Sequence, residues 1–259
     1  MITRWRSMLF VPASRPDLAA KAPRSGPDVV VLDLEDAVPP AGKAEARDAL
    51  ADAVAALVRQ VAVCVRVNPP GTPWFEDDVA ALPDGIAAVV VPKVEAPVAL
   101  DLPVVAGIET VRGVLDARRF LESPVVACYF GAEDYVADLG GVRTPGNEEV
   151  ATARAMVAMA ARVAGVPALD MVTLDLHDTD RFVAEARQAR ALGYAGKLCI
   201  HPAQVGAAHD AFRPTAEEVD WAERLLAAFD DAGGATIAFE GQMVDEVVAA
   251  RARAIVAER

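Results

Sequence analysis

Arg66, Glu109 and Asp134 each close a separate strand-like run, VAVCVRVN, PVVAGIET and VVACYFGAED. In a parallel barrel the carboxyl ends of the strands share one face, so residues far apart in sequence can surround one small anionic ligand. Two carboxylates offer hard oxygen donors of the kind Mg2+ takes, with water and ligand completing the shell. The plainer reading is that these acids cap helices or pair with arginine. Arg66 ends a run of apolar residues, where a guanidinium needs a carboxylate or a ligand oxyanion. A structural salt bridge would also satisfy it.

Three more acids, Asp33, Glu35 and Asp36, crowd the segment LDLEDAVPP. Such packed negative charge repels itself unless a cation, ordered water or donors lie nearby. The cluster suits a shell holding metal-bound waters, or, for Asp36, a helix entry. Lys93 in VVPKVE could form a Schiff base with a carbonyl substrate, although an electrostatic role fits a site already rich in acids. His201 in CIHPAQ is a candidate base or a hydrogen-bonded structural histidine. No GxSxG, P-loop or GxGxxG stands between a proper strand and helix, which removes the usual hydrolase, kinase and dinucleotide readings.

The elements that must position these residues are short apolar runs bounded by Pro, Gly or Asp. Eight can be counted: Met8 to Val11, Val29 to Leu34, Val61 to Val67, Ala88 to Val91, Val104 to Ile108, Val125 to Phe130, Met171 to Leu174 and Lys197 to Ile200. Continuous rather than alternating hydrophobicity marks strands buried on both faces, hence a parallel sheet. Helical stretches intervene, notably Pro40 to Arg59 and Asn147 to Ala164, the latter with Asn147 as its expected cap. The pattern predicts an α/β fold, a (β/α)8 TIM barrel over residues 1–212. Residues 213–259 fall outside the repeat: a Thr-capped helix from Thr215 to Ala232, a hairpin or loop in GGATIAFEGQ, and a helix from Met243 to Glu258. This extension packs on its own barrel or on a neighbouring subunit.

The 259 residues are 54% hydrophobic and only 5% aromatic, which suits short buried strands alternating with Ala-rich helices. A net charge of -13 disfavours nonspecific nucleic-acid or anionic-membrane binding. Any anionic substrate must therefore meet local positive charge. Cys64, Cys128 and Cys199 lie inside apolar runs at no metal-ligand spacing and read as core thiols. The N-terminal apolar stretch is too short for a signal peptide and no run reaches a membrane span, so a cytoplasmic protein is expected.

Together RSMLFVPASRP, VVVLDLEDAV, VRVN, VVPKVE, GIET, FGAEDYVADLG, CIHPAQ and GQMVDEVVAARARAI resemble the citrate lyase beta subunit-like (CitE-like) proteins of the HpcH/HpaI aldolase superfamily. The resemblance runs from Arg6 to the C-terminal helix. It implies a TIM barrel, commonly trimeric or hexameric, with Mg2+ on Glu109 and Asp134 and Arg66 as catalytic arginine. Asp245 matches the family's catalytic acid or base, contributed by a neighbouring subunit. Asp33, Glu35 and Asp36 match its DLED acids, and backbone amides at Ala132 and Glu133 would hold substrate carboxylate oxygens. The basic residues for CoA phosphates are only partly kept, as Arg15 and Lys21. The implied reaction is retro-Claisen cleavage of a β-hydroxyacyl thioester, such as citryl-, malyl- or citramalyl-CoA or citryl-ACP, into an acyl thioester and a 2-oxo acid. A malyl-CoA-type thioester hydrolase, or a complex-dependent subunit that only binds its oxo acid, are the competing expectations.

Overall fold

The computed structural model describes residues 5–121 and 125–259. The chain divides into two compact units, Met1–His209 and Asp210–Arg259. In the first, eight parallel strands close into a barrel in sequence order: β1 (Ser7–Pro12), β2 (Val29–Asp33), β3 (Ala62–Arg66), β4 (Ala88–Val91), β5 (Val104–Ile108), β6 (Val125–Phe130), β7 (Ala168–Asp170) and β8 (Gly196–Cys199). β2, β4 and β5 are buried along their whole length, as expected where helices cover the outer face and side chains fill the interior. Inside, Met8, Val31, Cys64, Val90, Leu169 and Leu198 belong to one apolar cluster, so the barrel is a packed core. Burial pushes the thiols of Cys64, Cys128 and Cys199 up to about 12, as befits inert core cysteines.

Two strand registers shape the mouth of the barrel. β2 and β3 pair Asp33 with Arg66, and β5 and β6 pair Gly107 with Tyr129. Each pair sits near the carboxyl ends of its strands, the face on which barrels carry ligands.

The seventh strand is not where continuous hydrophobicity places it. It runs over Ala168–Asp170, and Met171 to Leu174 have already left the ladder. The reason is a charged residue that a pattern of apolar runs rejects. Asp170 is wholly buried, held by Arg154 at 3.0 and 2.9 Å and by Lys197 Nζ at 3.0 Å. Lys197, also wholly buried, donates to the Met171 carbonyl at 2.6 Å and lies 3.4 Å from Glu185. Glu185 in turn accepts from Thr173 at 2.6 Å and Asn147 at 3.1 Å.

That network also corrects the expected helix cap. Asn147 adopts a left-handed conformation and spends its side chain on Glu185 and Arg143, and a short 3-10 turn, Glu148–Val150, precedes the helix Ala151–Ala164. The expected Pro40 to Arg59 helix is broken into a 3-10 turn and two shorter helices, Lys43–Asp48 and Leu50–Leu57.

In the second unit, Thr215 and Glu218 form a reciprocal capping box on the helix Ala216–Asp231. A two-stranded hairpin follows, β9 (Ile237–Phe239) and β10 (Gln242–Val244). The last helix starts at Glu246 rather than Met243, because Met243 belongs to β10 and Asp245 caps the helix. Among the described residues, no helix is long and apolar enough to cross a membrane.

Glu185 makes acid stability testable. Burial opposes its charge, but Lys197 and three hydrogen-bond donors outweigh burial and draw its carboxyl from 4.5 down to about 2. Its stabilising contribution is therefore complete above pH 4.5 and lost as pH falls toward 2. Glu185→Gln should cost about 3 kcal/mol in urea unfolding at pH 7. The gap from wild type should shrink progressively below pH 4.5.

Candidate active site

At the mouth of the barrel the adjacent positions of Asp33 and Arg66 become a bidentate ion pair. Arg66 Nε donates to Asp33 Oδ1 at 2.7 Å and Nη2 to Oδ2 at 2.6 Å. Nη1 lies 2.8 Å from Glu35 Oε2, outside hydrogen-bond geometry, and Nη2 lies 3.8 Å from Asp36. The Phe10 ring packs 5.0 Å from the guanidinium carbon. Burial opposes the arginine's charge, yet Asp33 and Glu35 overcome it and hold the group further above its ordinary range. These contacts leave guanidinium N–H groups unspent, since arginine has five.

The acidic turn is itself pinned from behind. Asp33 accepts backbone N–H groups from Glu35 and Ala37, at 2.9 and 3.2 Å. Lys43 Nζ donates to the carbonyls of Leu34 and Glu35, and Asn68 also donates to Leu34. Asp33 and Glu35 are consequently buried, whereas the Asp36 side chain is 66% exposed. Burial pushes the Glu35 carboxyl up to about 7, against the pull of Arg66.

Lys93 follows β4 in a left-handed backbone conformation, φ +51°, uncommon for a residue with a side chain and a form of strain found at functional sites. The turn aims its amide N–H at Glu109 Oε2, 3.3 Å away, and its ammonium between Glu35 at 2.7 Å and Asp134 at 3.2 Å. Burial works against that charge, but Glu35 wins and raises the pKa of Lys93. Set between two carboxylates, the ammonium offsets their charge.

Glu109 comes directly after β5 and is 2% exposed. A Cβ on Gly131 would stand 2.6 Å from its Cγ, so glycine at that position is what lets the carboxylate lie across the end of β6. Burial raises the Glu109 carboxyl, against Tyr129, Arg66 and Lys93. Asp134 lies in the first turn of the helix Ala132–Leu139, whose start, Gly131, provides no side-chain cap. The dipole favours negative charge there and the amides of Ala132 and Glu133 begin the helix. The Glu133 side chain is taken by Arg143 at 2.9 Å, leaving its amide as the feature of interest.

Arg66, Glu109, Tyr129, Ala132, Glu133 and Asp134 line one cavity of about 440 Å³. Its lining also includes the apolar side chains of Phe10, Val172, Leu174 and Leu198. Five carboxylates (Asp33, Glu35, Asp36, Glu109, Asp134) thus converge with two cations, Arg66 and Lys93. Among the described residues no three His, Cys, Asp or Glu side chains form a complete metal cage. Two carboxylates at an open cavity are still the usual protein share of a Mg2+ site, whose other ligands are substrate and water.

Other expected residues lie elsewhere. Arg15 is half exposed and pairs with Asp17 at 2.8 Å, Lys21 precedes a 3-10 turn, and neither lines the cavity. His201 accepts from the Ala203 amide within a tight turn, while Gln204 ties the end of β8 to the Thr173 carbonyl. That contact pattern is structural. Asp245 belongs to the second unit, where Oδ1 accepts from Val247 and Val248 at 3.0 and 3.1 Å. Tyr129, Gly107 and Gly131 are not among the expected site residues. The only trace of them in the sequence is a polar-tipped aromatic in VVACYF and the glycines of GIET and GAED.

The HpcH/HpaI aldolase/citrate lyase family model matches residues 6–102 and 98–202. A citrate lyase subunit beta-like protein from Deinococcus radiodurans is 50% identical, over 96% of this chain and 95% of its own. The chain belongs to the HpcH/HpaI aldolase/citrate lyase family. A (3S)-malyl-CoA thioesterase from Cereibacter sphaeroides is 32% identical over 98% of this chain and 94% of its own. Among solved structures, Mycobacterium tuberculosis CitE in complex with magnesium, acetoacetate and coenzyme A superposes with a TM-score of 0.91. It is 36% identical and covers 100% of this chain and 99% of its own. For this family member the acid pair Glu109 and Asp134, with its surplus of negative charge, fits a divalent cation.

The Arg66 pair also carries a stability consequence. Arg66→Met keeps the length of the side chain but strands Asp33 without its cation and leaves Glu35 only Lys93. Loss of one partner from a buried pair should cost about 3 kcal/mol in urea unfolding at neutral pH. Unchanged stability would mean that Asp33 is balanced by some other group.

Proposed function

We propose that this chain is a Mg2+-dependent carbon–carbon lyase that cleaves a β-hydroxyacyl thioester, carried on CoA or an acyl-carrier protein, into an acyl thioester and a 2-oxo acid. The observation that carries this reading is the pairing of Glu109 and Asp134 at a cavity that also holds Arg66 and the open helix start at Ala132. Bound by Glu109 and Asp134, Mg2+ would supply Lewis acidity and a template for the oxo-acid half of the substrate.

The chain's own residues do the rest. Amides of Ala132 and Glu133 bind carboxylate oxygens of the substrate, as a helix N-terminus does for anions. Arg66, locked by Asp33 and Glu35, directs its remaining N–H groups at the oxygen on which charge develops as the carbon–carbon bond breaks. Asp33, Glu35 and Asp36 act through Arg66 and Lys93 and set the charge balance of the mouth. The apolar wall of Phe10, Val172 and Leu198 limits water around the enolate. The substrate hydroxyl gives up its proton to solvent water as the carbon–carbon bond breaks, and Asp245 of a neighbouring subunit's C-terminal extension, residues 213–259, delivers one proton to the enolate carbon, so the count balances. The reading therefore includes a homotrimer or hexamer, located in the cytoplasm. Arg15 and Lys21 lie on the loop after β1, where thioester phosphates could meet them.

Glu109→Gln and Asp134→Asn should each weaken Mg2+ binding by more than about tenfold in calorimetric titration and abolish turnover. Wild-type affinity in both variants would remove the metal assignment. Asp245→Asn should lose turnover yet bind Mg2+ normally. Mixed oligomers of Asp245→Asn and Arg66→Ala chains should regain part of the activity if the site is shared. Assay of the purified protein with Mg2+ against citryl-, malyl- and citramalyl-CoA should release acetyl-CoA and a 2-oxo acid in equal amounts. Free CoA with intact hydroxy acid would assign the thioesterase reaction instead, and no turnover of any substrate would favour a complex-dependent binding subunit.

A further inference from the structure

β5 and β6 exchange large and small residues in two successive inward layers. In the lower layer Tyr129 of β6 faces Gly107 of β5, its partner in register, and a Cβ on Gly107 would stand 2.5 Å from the phenolic oxygen. In the upper layer Glu109 lies over Gly131, where a Cβ would stand 2.6 Å from the carboxylate side chain. The two side chains are thereby brought together, the phenol beneath the carboxylate and each in space that only glycine leaves open. Phe10 packs against the Tyr129 ring at 6.4 Å, edge to face, and fixes it laterally.

Tyr129 lines the cavity, and its phenolic oxygen is buried, near enough to Glu109 to draw that carboxyl down yet without a partner in good hydrogen-bond geometry among the described residues. A buried hydroxyl without a partner is unfavourable for folding, and phenylalanine would fill the same space without that cost. The fold alone therefore gives no reason for the oxygen. A phenol carries one O–H donor, which a neighbouring carboxylate can accept. Metal-binding side chains are commonly oriented by a second hydrogen-bonding group of this kind.

We propose that Tyr129 is a positioning residue: its hydroxyl donates to the Glu109 carboxylate and orients that carboxylate for Mg2+, in the space that Gly107 clears. The assignment rests on the reading of Glu109 as a metal ligand. It gives the tyrosine no contact with substrate and no part in proton transfer.

The experiment is calorimetric titration of Mg2+ into the full-length protein and into Tyr129→Phe, with Glu109→Gln alongside and a thermal melt of each. Tyr129→Phe should bind Mg2+ about tenfold more weakly and still unfold in a single cooperative melt. Wild-type Mg2+ affinity in Tyr129→Phe overturns the assignment. So does a Tyr129→Phe chain that fails to fold, because the hydroxyl would then be serving the core. If Glu109→Gln itself binds Mg2+ like the wild type, the metal site is elsewhere and the functional reading fails first. If Glu109→Gln loses Mg2+ while Tyr129→Phe keeps it, only the positioning role is lost.

Discussion

Excess negative charge at one end of the barrel is the constraint around which the site is organised. Like charges confined where water is scarce repel strongly, and each carboxylate loses hydration as well. The strand register answers part of this by setting Asp33 beside Arg66, so that backbone pairing delivers a bidentate ion pair. The strained turn at Lys93 answers another part by inserting an ammonium between Glu35 and Asp134. What remains is a buried Glu109 and a partly exposed Asp134 lining one open cavity. An arrangement that retains this much unbalanced charge is costly to the apo protein, and a cation bound there, as proposed, would stabilise the folded state by mass action.

The barrel was legible in the sequence because most of its strands are runs of apolar residues, and both faces of a parallel sheet need that. The exception is instructive. β7 carries Asp170, and only the fold reveals that Arg154, from a helix, and Lys197, from β8, neutralise it. Asn147 fails as a cap for a related reason, since the same network claims its side chain. Buried polar networks are long-range, and a local pattern does not register them.

The site was legible in a different way. Arg66, Glu109 and Asp134 stand out as polar residues ending apolar runs, and the barrel brings all three to one cavity. Tyr129 does not stand out, because a tyrosine in a strand is ordinary, and Gly107 and Gly131 pass as turn residues until neighbouring strands are in register. Arg15, Lys21 and His201 look equally polar but are held by local partners or stand apart from the cavity. Asp245 is a helix cap by its contacts, and its proposed chemistry comes from the family resemblance alone.

On the proposed reading the barrel mouth is an incomplete cation site that a 2-oxo acid would complete. Titration of Mg2+ into the wild-type protein, with and without saturating pyruvate, tests that directly. Pyruvate should tighten Mg2+ binding and Mg2+ should tighten pyruvate binding by the same factor, since linked sites share one coupling free energy. Mg2+ affinity that is unaffected by pyruvate, or no Mg2+ binding at all, would contradict it.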